Sequence, residues 1–229
     1  MPKPVGEAGG GVGNGLLGTA IMLGMASLIG LPIGVGAGLY LAANPIGRLA
    51  QATRFVAEIL GGVPSVVVGL AIYALVVRPM HSFSALAGSV ALAVLMIPTL
   101  ARVTEEVVKL VPRTLFEASL ALGVPEWRSS LKVVARTALG GIVTGICLAL
   151  ARATGETAPL LFTSLGNQFW ATRPDQPMAS LPVQIFTYAV SPYPDWQQQA
   201  WGAALVLLLF VGLLNGIARA LSGNTLLGV

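Results

Sequence analysis

The chain has 229 residues, of which 55% are hydrophobic and only 10% are charged, and its mean hydropathy is +0.81. A water-soluble domain cannot bury that much apolar surface, so the composition excludes the soluble classes and indicates a membrane protein. The formal net charge is +4 at pH 7, but the basic residues lie mostly between apolar segments. That placement indicates a membrane-topology signal rather than a nucleic-acid surface.

The first fourteen residues are rich in glycine, and we expect a flexible N-terminal lead over residues 1–14. They lack the order of basic, apolar and small residues that marks a cleavable signal peptide. Residues 15–221 are predicted to form a transmembrane domain, followed by a C-terminal tail at residues 222–229.

Five charge-poor stretches are each long enough for a helix of roughly 20 residues, the length that crosses a hydrocarbon core. Helix is expected because an open sheet would leave backbone groups unsatisfied in lipid. The sequence therefore predicts an all-α polytopic membrane protein, with kinks or close helix contacts at Gly30-Leu31-Pro32 and at Gly61-Gly62-Val63-Pro64. The predicted spans are Leu16–Ala42, Phe55–Val77, Ser84–Ala101, Ala138–Phe162 and Gln199–Ala220.

The basic residues predict the topology of these spans. With the segment after the third span placed inside, nine of the 13 basic residues are cytoplasmic and three are outside, which predicts an outside N-terminus and an inside C-terminus. An outside N-terminus with five spans is unusual, and it raises the suspicion that an upstream helix is missing. The inside residues are Arg48, Arg54, Arg102, Lys109, Arg113, Arg128, Lys132, Arg136 and Arg219.

The cytoplasmic loop at about residues 102–136 is the longest polar stretch, and its local signals predict two short helices. Thr114-Leu115-Phe116-Glu117 fits a capping box, which predicts a helix start at Thr114. Gly123 suits a left-handed helix end, and Pro125 suits the first turn of a second helix that reaches Lys132. The first helix carries an apolar face, and an apolar surface helix in the cytoplasm indicates a protein partner.

Glu117-Ala118-Ser119, followed by Gly123 and Val133, resembles the EAA loop of ABC importer permeases. Ser119 replaces the second alanine of that pattern, and Ala135-Arg136 stands in place of its final Leu-Pro. The resemblance implies a type I ABC importer permease architecture with a cytoplasmic coupling helix, in which Glu117, Ala118 and Gly123 engage a separate ATPase. The alternative is that Glu117 is only a helix cap and Gly123 only a turn residue.

ATP hydrolysis has no sequence basis in this chain, because no Gly-x-x-x-x-Gly-Lys-Ser/Thr phosphate loop occurs in it. We therefore predict a non-catalytic subunit whose ATPase is a partner protein. A membrane-embedded enzyme would require a metal cluster or a nucleophile with a base, and a single histidine, His81, and a single cysteine, Cys147, do not supply one.

Arg152 and Glu156 lie four residues apart on one face of the fourth predicted span, where each charge costs roughly 2.5–3.5 kcal/mol to insert. One interpretation is structural, as an internal ion pair or a cap on a helix break. The other is a substrate pathway, in which the planar Arg152 guanidinium binds phosphate oxygens. Glu156 would then orient the arginine or accept a proton-bearing oxygen of hydrogen phosphate. Both interpretations remain open at this point.

The stretch Ala151-Arg152-Ala153-Thr154-Gly155-Glu156-Thr157-Ala158-Pro159-Leu160 closely resembles the PstA family, the permeases of phosphate-importing ABC transporters. The segment from Gly62 to Gly69 and the tryptophan-rich segment from Trp196 to Trp201 also resemble it, and the likeness extends over about residues 13–219. The resemblance implies an ATP-driven phosphate importer in the bacterial inner membrane, with no cofactor. It also implies a PstC-type permease partner, a PstB-type ATPase dimer and a PstS-type phosphate-binding protein, in addition to membrane lipid.

The outer loop at about residues 163–198 is the predicted surface for the binding protein, with a short apolar helix expected over Leu181–Ala189. Two alternatives to a phosphate permease remain. One is a permease for another oxyanion, such as sulfate, molybdate or phosphonate, and the other is a stand-alone channel. The channel is disfavoured because the cytoplasmic loop has the features of a docking surface.

Overall fold

Every regular element in the described part of the chain is a helix, as the sequence predicts. The computed structural model describes Lys3 and residues 10–226. The expected flexible lead therefore lies mostly outside the described residues, and helix already begins at Gly13. The described helices, in order, are α1 (Gly13–Ala43), α2 (Arg48–Gly62), α3 (Ser65–Met80), α4 (Ala85–Lys109), α5 (Arg113–Ala121), α6 (Glu126–Thr137), α7 (Leu139–Thr154), α8 (Ala158–Thr163), α9 (Leu181–Ala189) and α10 (Pro194–Leu226).

Three helices are long and apolar enough to cross a membrane, namely α1, α4 and the Pro194–Ile217 part of α10. The number rises to five if each bent pair of helices, α2 with α3 and α6 with α7, is counted as one span. A polytopic, all-helical membrane protein is confirmed, with three to five candidate spans in the described residues.

Two of the predicted spans are interrupted in the structure, and the predicted kink at Gly61-Gly62-Val63-Pro64 is confirmed. The span predicted at Phe55–Val77 is interrupted at Val63-Pro64, because proline lacks the N–H that a helix interior needs and restricts the residue before it. The span predicted at Ala138–Phe162 is interrupted between α7 and α8. There the ring of Pro159 would clash with the carbonyl four residues earlier, at Gly155, in a continuous helix.

Helices α4 and α10 are both longer than predicted. Helix α4 continues beyond Ala101 to Lys109, so the first residues of the predicted cytoplasmic loop are helical. Its last turn is favoured by the Glu105–Lys109 ion pair at i,i+4 spacing and by a lysine near the helix C-terminus. Helix α10 runs from Pro194 to Leu226 and takes in most of the predicted tail, whose residues 227–229 lie outside the described residues.

The described chain divides into two compact units. Unit 1 comprises the chain up to Ile29, Val63–Leu95 and Leu150–Leu213, and unit 2 comprises Gly30–Gly62, Met96–Ala149 and the chain from Leu214. In unit 1, the short helix α8 packs against the Ser65–Ile72 part of α3, and an apolar cluster of Val68, Ile72 and Ala91 lies at the α3–α4 contact.

The core of unit 2 joins four helices, α1, α4, α6 and α7. Its buried centre consists of Val108 of α4, Ile142 of α7 and Ala138 at the start of α7. Glycines on α7 let the helices approach closely, since Gly141 and Gly145 lie against valine side chains of α4. The partly buried residues around this cluster are Val35, Leu39, Ala42, Val107, Val111, Val134 and Ile146.

Candidate functional site

The break between α7 and α8 carries the predicted Arg152–Glu156 pair. Helix α7 ends with two short-range backbone bonds, from the Gly155 N–H to the Arg152 carbonyl at 3.0 Å and from the Glu156 N–H to the Ala153 carbonyl at 3.2 Å. The Thr154 hydroxyl donates back to the Leu150 carbonyl at 2.7 Å. The break is therefore hydrogen-bonded locally, and it places Glu156 in the link between the two helices.

Arg152 and Glu156 are near each other but make no hydrogen bond in this structure. The Arg152 Nε lies 3.9 Å from the Glu156 Oε1, beyond hydrogen-bonding distance. The Arg152 side chain is 65% exposed and that of Glu156 is 19% exposed. A charged side chain at membrane depth normally faces a bundle interior or a water-filled cavity. The guanidinium donors of Arg152 are thus available to an anion or to another chain.

Packing against α3 fixes the position of the helix break. Pro159, in the first turn of α8, is buried and touches Gly69 of α3. At the other end of α8, the Thr163 carbonyl accepts a hydrogen bond of 3.0 Å from the Ser84 N–H, just before α4. Helix α8 is only six residues long, so these tertiary contacts, rather than intrinsic helix propensity, hold it in place.

Helices α5 and α6 form the predicted helical hairpin of the cytoplasmic loop. Helix α5 ends in a Schellman motif, with Gly123 at φ +80° and its N–H bonded to the Leu120 carbonyl at 2.9 Å. The Val124 N–H bonds the Ser119 carbonyl at 3.2 Å and completes the motif. The predicted left-handed conformation of Gly123 is confirmed.

The predicted capping box at Thr114 is wrong. Helix α5 begins one residue earlier, at Arg113, with Pro112 as its N-cap and no side-chain cap bond. Because Pro112 precedes the helix and is followed directly by helical residues, Thr114 lies inside the first turn, where its hydroxyl cannot act as the cap. Glu117 is therefore an exposed residue of the helix surface rather than part of a cap.

The predicted coupling residues are on the surface of the hairpin. Glu117, Ala118 and Gly123 are all exposed. Beside them lie exposed apolar side chains, including Leu122 and Trp127, and the Arg128 guanidinium lies 5.9 Å from the centre of the Trp127 ring. An exposed apolar surface with an aromatic and an arginine has the composition of a protein-binding surface.

A charge cluster around the buried Glu105 in unit 2 was missed by the sequence analysis. Arg54 of α2 donates from Nε to the Glu105 Oε1 of α4 at 2.8 Å, and Lys109 donates to the same oxygen. The sequence analysis counted Arg54 and Lys109 only as topology signals. The i,i+4 spacing of Glu105 and Lys109 next to a predicted span could have indicated the acid, but nothing local could have identified Arg54 as its partner.

The loop predicted to be on the outer side contains α9 at the predicted bounds, Leu181–Ala189. Beside it is a cavity of about 230 Å³ that includes Gln184, Tyr188 and Trp196 in its wall. The Gln184 amide is oriented by donating to the Asn14 Oδ1 at 3.3 Å. In the same loop, hydrogen bonding from Arg173 holds the pKa of the Asp175 carboxyl below its usual value.

Comparison with known proteins gives one consistent family. The sequence profile described as "Binding-protein-dependent transport system inner membrane component" matches residues 34–225. The phosphate transport system permease protein PstA of Yersinia pestis is 49% identical over 96% of this chain and 75% of its own length. The probable phosphate transport system permease protein PstA of Methanocaldococcus jannaschii is 39% identical over 94% of this chain and 77% of its own length.

Solved structures show the same fold at lower identity. A chain of the MetNI methionine ABC transporter in an inward-facing conformation superposes with a TM-score of 0.75, at 20% identity over 94% of each chain. A chain of an amino acid ABC transporter solved with histidines gives a TM-score of 0.60, at 18% identity over 91% of this chain and 94% of that one. These likenesses establish the fold of ABC importer permeases.

Proposed function

The chain belongs to the family of binding-protein-dependent inner membrane transport components, and on that premise we propose that it is the permease subunit of an ATP-driven phosphate importer. The observation that carries the proposal is the identity of 49% with a PstA permease over nearly the whole chain. In this function the chain forms half of the translocation pathway, and a homologous permease forms the other half.

Family membership has direct structural consequences. The chain is a multi-pass inner membrane protein, and the family implies a separate ATPase and a substrate-binding protein as partners. We propose that these partners are a PstB-type ATPase dimer and a PstS-type phosphate-binding protein, with a PstC-type permease as the homologous subunit. The names of the relatives support this specific set.

Arg152 is proposed to contact phosphate in the translocation pathway. Its distance of 3.9 Å from Glu156 and its exposure of 65% support this role, because the guanidinium makes no hydrogen bond to Glu156 and remains accessible to a ligand. Arginine binds phosphate oxygens through two parallel N–H donors. Glu156, in the link between α7 and α8, would orient Arg152 or accept a hydrogen bond from a protonated oxygen of hydrogen phosphate. Sulfate carries no such proton at neutral pH, so it could donate no hydrogen bond to Glu156, and the negative charges of sulfate and the carboxylate would repel each other.

The hairpin α5–α6 is proposed to dock on the ATPase, with Glu117, Ala118 and Gly123 at the contact. Their exposure beside Leu122 and Trp127 supports this role. The chain contains no phosphate-loop sequence, so we assign ATP hydrolysis to the partner. By itself in lipid vesicles, the chain should neither hydrolyse ATP nor import phosphate.

Complementation of a bacterial strain that lacks its own PstA-type permease tests the proposal. With the chain expressed beside the remaining subunits of that importer, uptake of radiolabelled phosphate should be restored, while uptake of sulfate, molybdate and phosphonate stays at the background of the strain. A chain that reaches the membrane and assembles but restores uptake of one of those other oxyanions, and not of phosphate, would replace phosphate as the proposed substrate.

A further inference from the structure

Arg54 donates hydrogen bonds to three acceptors that belong to three segments of unit 2. Besides the bond from its Nε to Glu105 on α4, its Nη2 donates to the Leu41 carbonyl at 2.7 Å and its Nη1 donates to the Pro45 carbonyl at 3.1 Å. Leu41 is in the last turn of α1, where carbonyls have no partner within the helix. A side chain of α2 therefore caps the inner end of α1 and at the same time binds α4.

Glu105 anchors this arrangement on α4. Its side chain is only 9% exposed, and one of its oxygens accepts bonds from both Arg54 and Lys109. A buried carboxylate is costly unless cations and hydrogen bonds compensate it. Loss of Arg54 would leave Glu105 with Lys109 as its remaining cation, and loss of Glu105 would leave Arg54 with only its two carbonyl acceptors. Either loss removes the bond that joins α2 to α4 at this point, so the two residues act as a unit.

The same part of α4 leads directly into the hairpin. Glu105 lies one turn before Lys109, where α4 ends, and α5 begins at Arg113. Val134 of α6 and Leu39 near the inner end of α1 both pack against the buried cluster of unit 2, which includes Val108 of α4. The hairpin and the inner end of α1 are thus joined both by this apolar core and by the bonds of Arg54.

We propose that Arg54 and Glu105 are positioning residues that form an inner clasp, defined as this pair together with the Leu41 and Pro45 carbonyls. The clasp makes the inner end of α1 follow movements of the hairpin. The proposal rests on the proposed function, since it requires an ATPase that moves the hairpin. The planar guanidinium suits this task because its donors diverge in a rigid fork. Without the clasp, ATP would be hydrolysed with less transport.

The test uses the assembled importer in lipid vesicles, with the binding protein on the side from which transport starts. The measured quantity is the ratio of phosphate imported to ATP hydrolysed. Arg54→Gln and Glu105→Gln should each lower this ratio by about tenfold, and the double variant should be no worse than either single variant because both remove one link. Arg54→Lys keeps the charge but cannot reach three acceptors, so it should assemble and still show a lowered ratio. It also covers the case in which Arg54→Gln fails to assemble.

The matched control is the pair Arg102 and Glu58, which joins the same two helices, α4 and α2. This ion pair is longer, at 3.4 Å, and both side chains are more than half exposed. Arg102→Gln combined with Glu58→Gln should leave the ratio within about twofold of wild type, as expected for a surface pair. A similar loss in this control would show a general charge effect and would overturn the proposal, as would a wild-type ratio in assembled Arg54→Gln or Arg54→Lys.

The stimulation of ATP hydrolysis by the loaded binding protein provides a second readout that does not depend on phosphate counting. The clasp variants should keep this stimulated ATP hydrolysis. Failure of the wild-type complex to import phosphate would count against the proposed function, whereas a normal ratio in the clasp variants beside a working wild type counts against the clasp alone.

Discussion

Gly69 of α3 and Pro159 of α8 are in direct contact, and a Cβ added at Gly69 would lie 2.7 Å from the Pro159 Cα. That atom belongs to the backbone, so it cannot yield as the end of a flexible side chain can. Pro159 follows Glu156 by three residues and lies in the first turn of the short helix α8. The glycine therefore allows α3 to support the break that carries the proposed substrate residues.

Substitution of Gly69 by alanine should destabilise unit 1 and reduce transport. Overpacking of a well-packed contact typically costs about 1–3 kcal/mol, and here it would also displace the break next to Glu156. The matched control is Gly24→Ala in α1, where an added Cβ meets nothing within 4 Å. Thermal unfolding of the purified assembled importer checks both variants. Equal unfolding temperatures for Gly69→Ala and wild type would contradict the packing argument.

Gly123 should tolerate asparagine but not valine. At φ +80° a β-branched residue is strained by roughly 1–2 kcal/mol, whereas asparagine enters the left-handed region more easily. Gly123→Val should therefore distort the end of α5 and weaken capture of the ATPase by the detergent-solubilised permease. Gly123→Asn should retain most of it. Equal capture by both variants would mean that the turn does not shape the docking surface.

Reversal of charge at Glu117 should weaken ATPase docking without unfolding the hairpin. Because Glu117 is exposed and does not cap the helix, a surface substitution there should change stability by no more than about 0.5 kcal/mol. Phosphate import should fall in Glu117→Lys, while Glu117→Gln, which only removes the charge, should lose less. Normal import and normal ATPase capture in Glu117→Lys would exclude this residue from the contact.

Substitutions at Arg152 and Glu156 separate a substrate contact from a structural ion pair. If Arg152 binds phosphate, Arg152→Gln should abolish import although the complex assembles, and adding Glu156→Gln should not restore it. Recovery of import in the double variant would instead assign the arginine to the ion pair, because no unpaired charge would remain. Phosphate uptake is measured in cells, with the amount of permease in the membrane as the reference.

The sequence was sufficient to predict features that depend on local chemistry. Gly123 ends α5 in the left-handed conformation, and α9 occupies the predicted Leu181–Ala189, because both follow from short-range backbone preferences. The apolar segments likewise predicted helices. The predicted start of α5 was wrong because the pattern of Thr114 and Glu117 fits a capping box regardless of which residue occupies the N-cap. In the structure Pro112 occupies that position.

Features that depend on contacts between distant segments were not predictable from the sequence. Arg54 is 51 residues from Glu105, and a single sequence contains no signal that pairs them. The exact break points of the bent spans also depend on tertiary packing, as the contact of Gly69 with Pro159 illustrates. Arg152 and Glu156 were identifiable because charges in an apolar span are costly, but their separation of 3.9 Å required the structure.

Phosphate uptake by the fully assembled importer in vesicles tests the central claim most directly. Radiolabelled phosphate should accumulate only when ATP and the loaded phosphate-binding protein are both present, and a large excess of sulfate should not reduce the rate. Arg152→Gln in the same vesicles should lose the uptake while the complex remains assembled. Uptake that needs no ATP, or that sulfate suppresses as strongly as unlabelled phosphate does, would contradict the assignment of this chain to an ATP-driven phosphate importer.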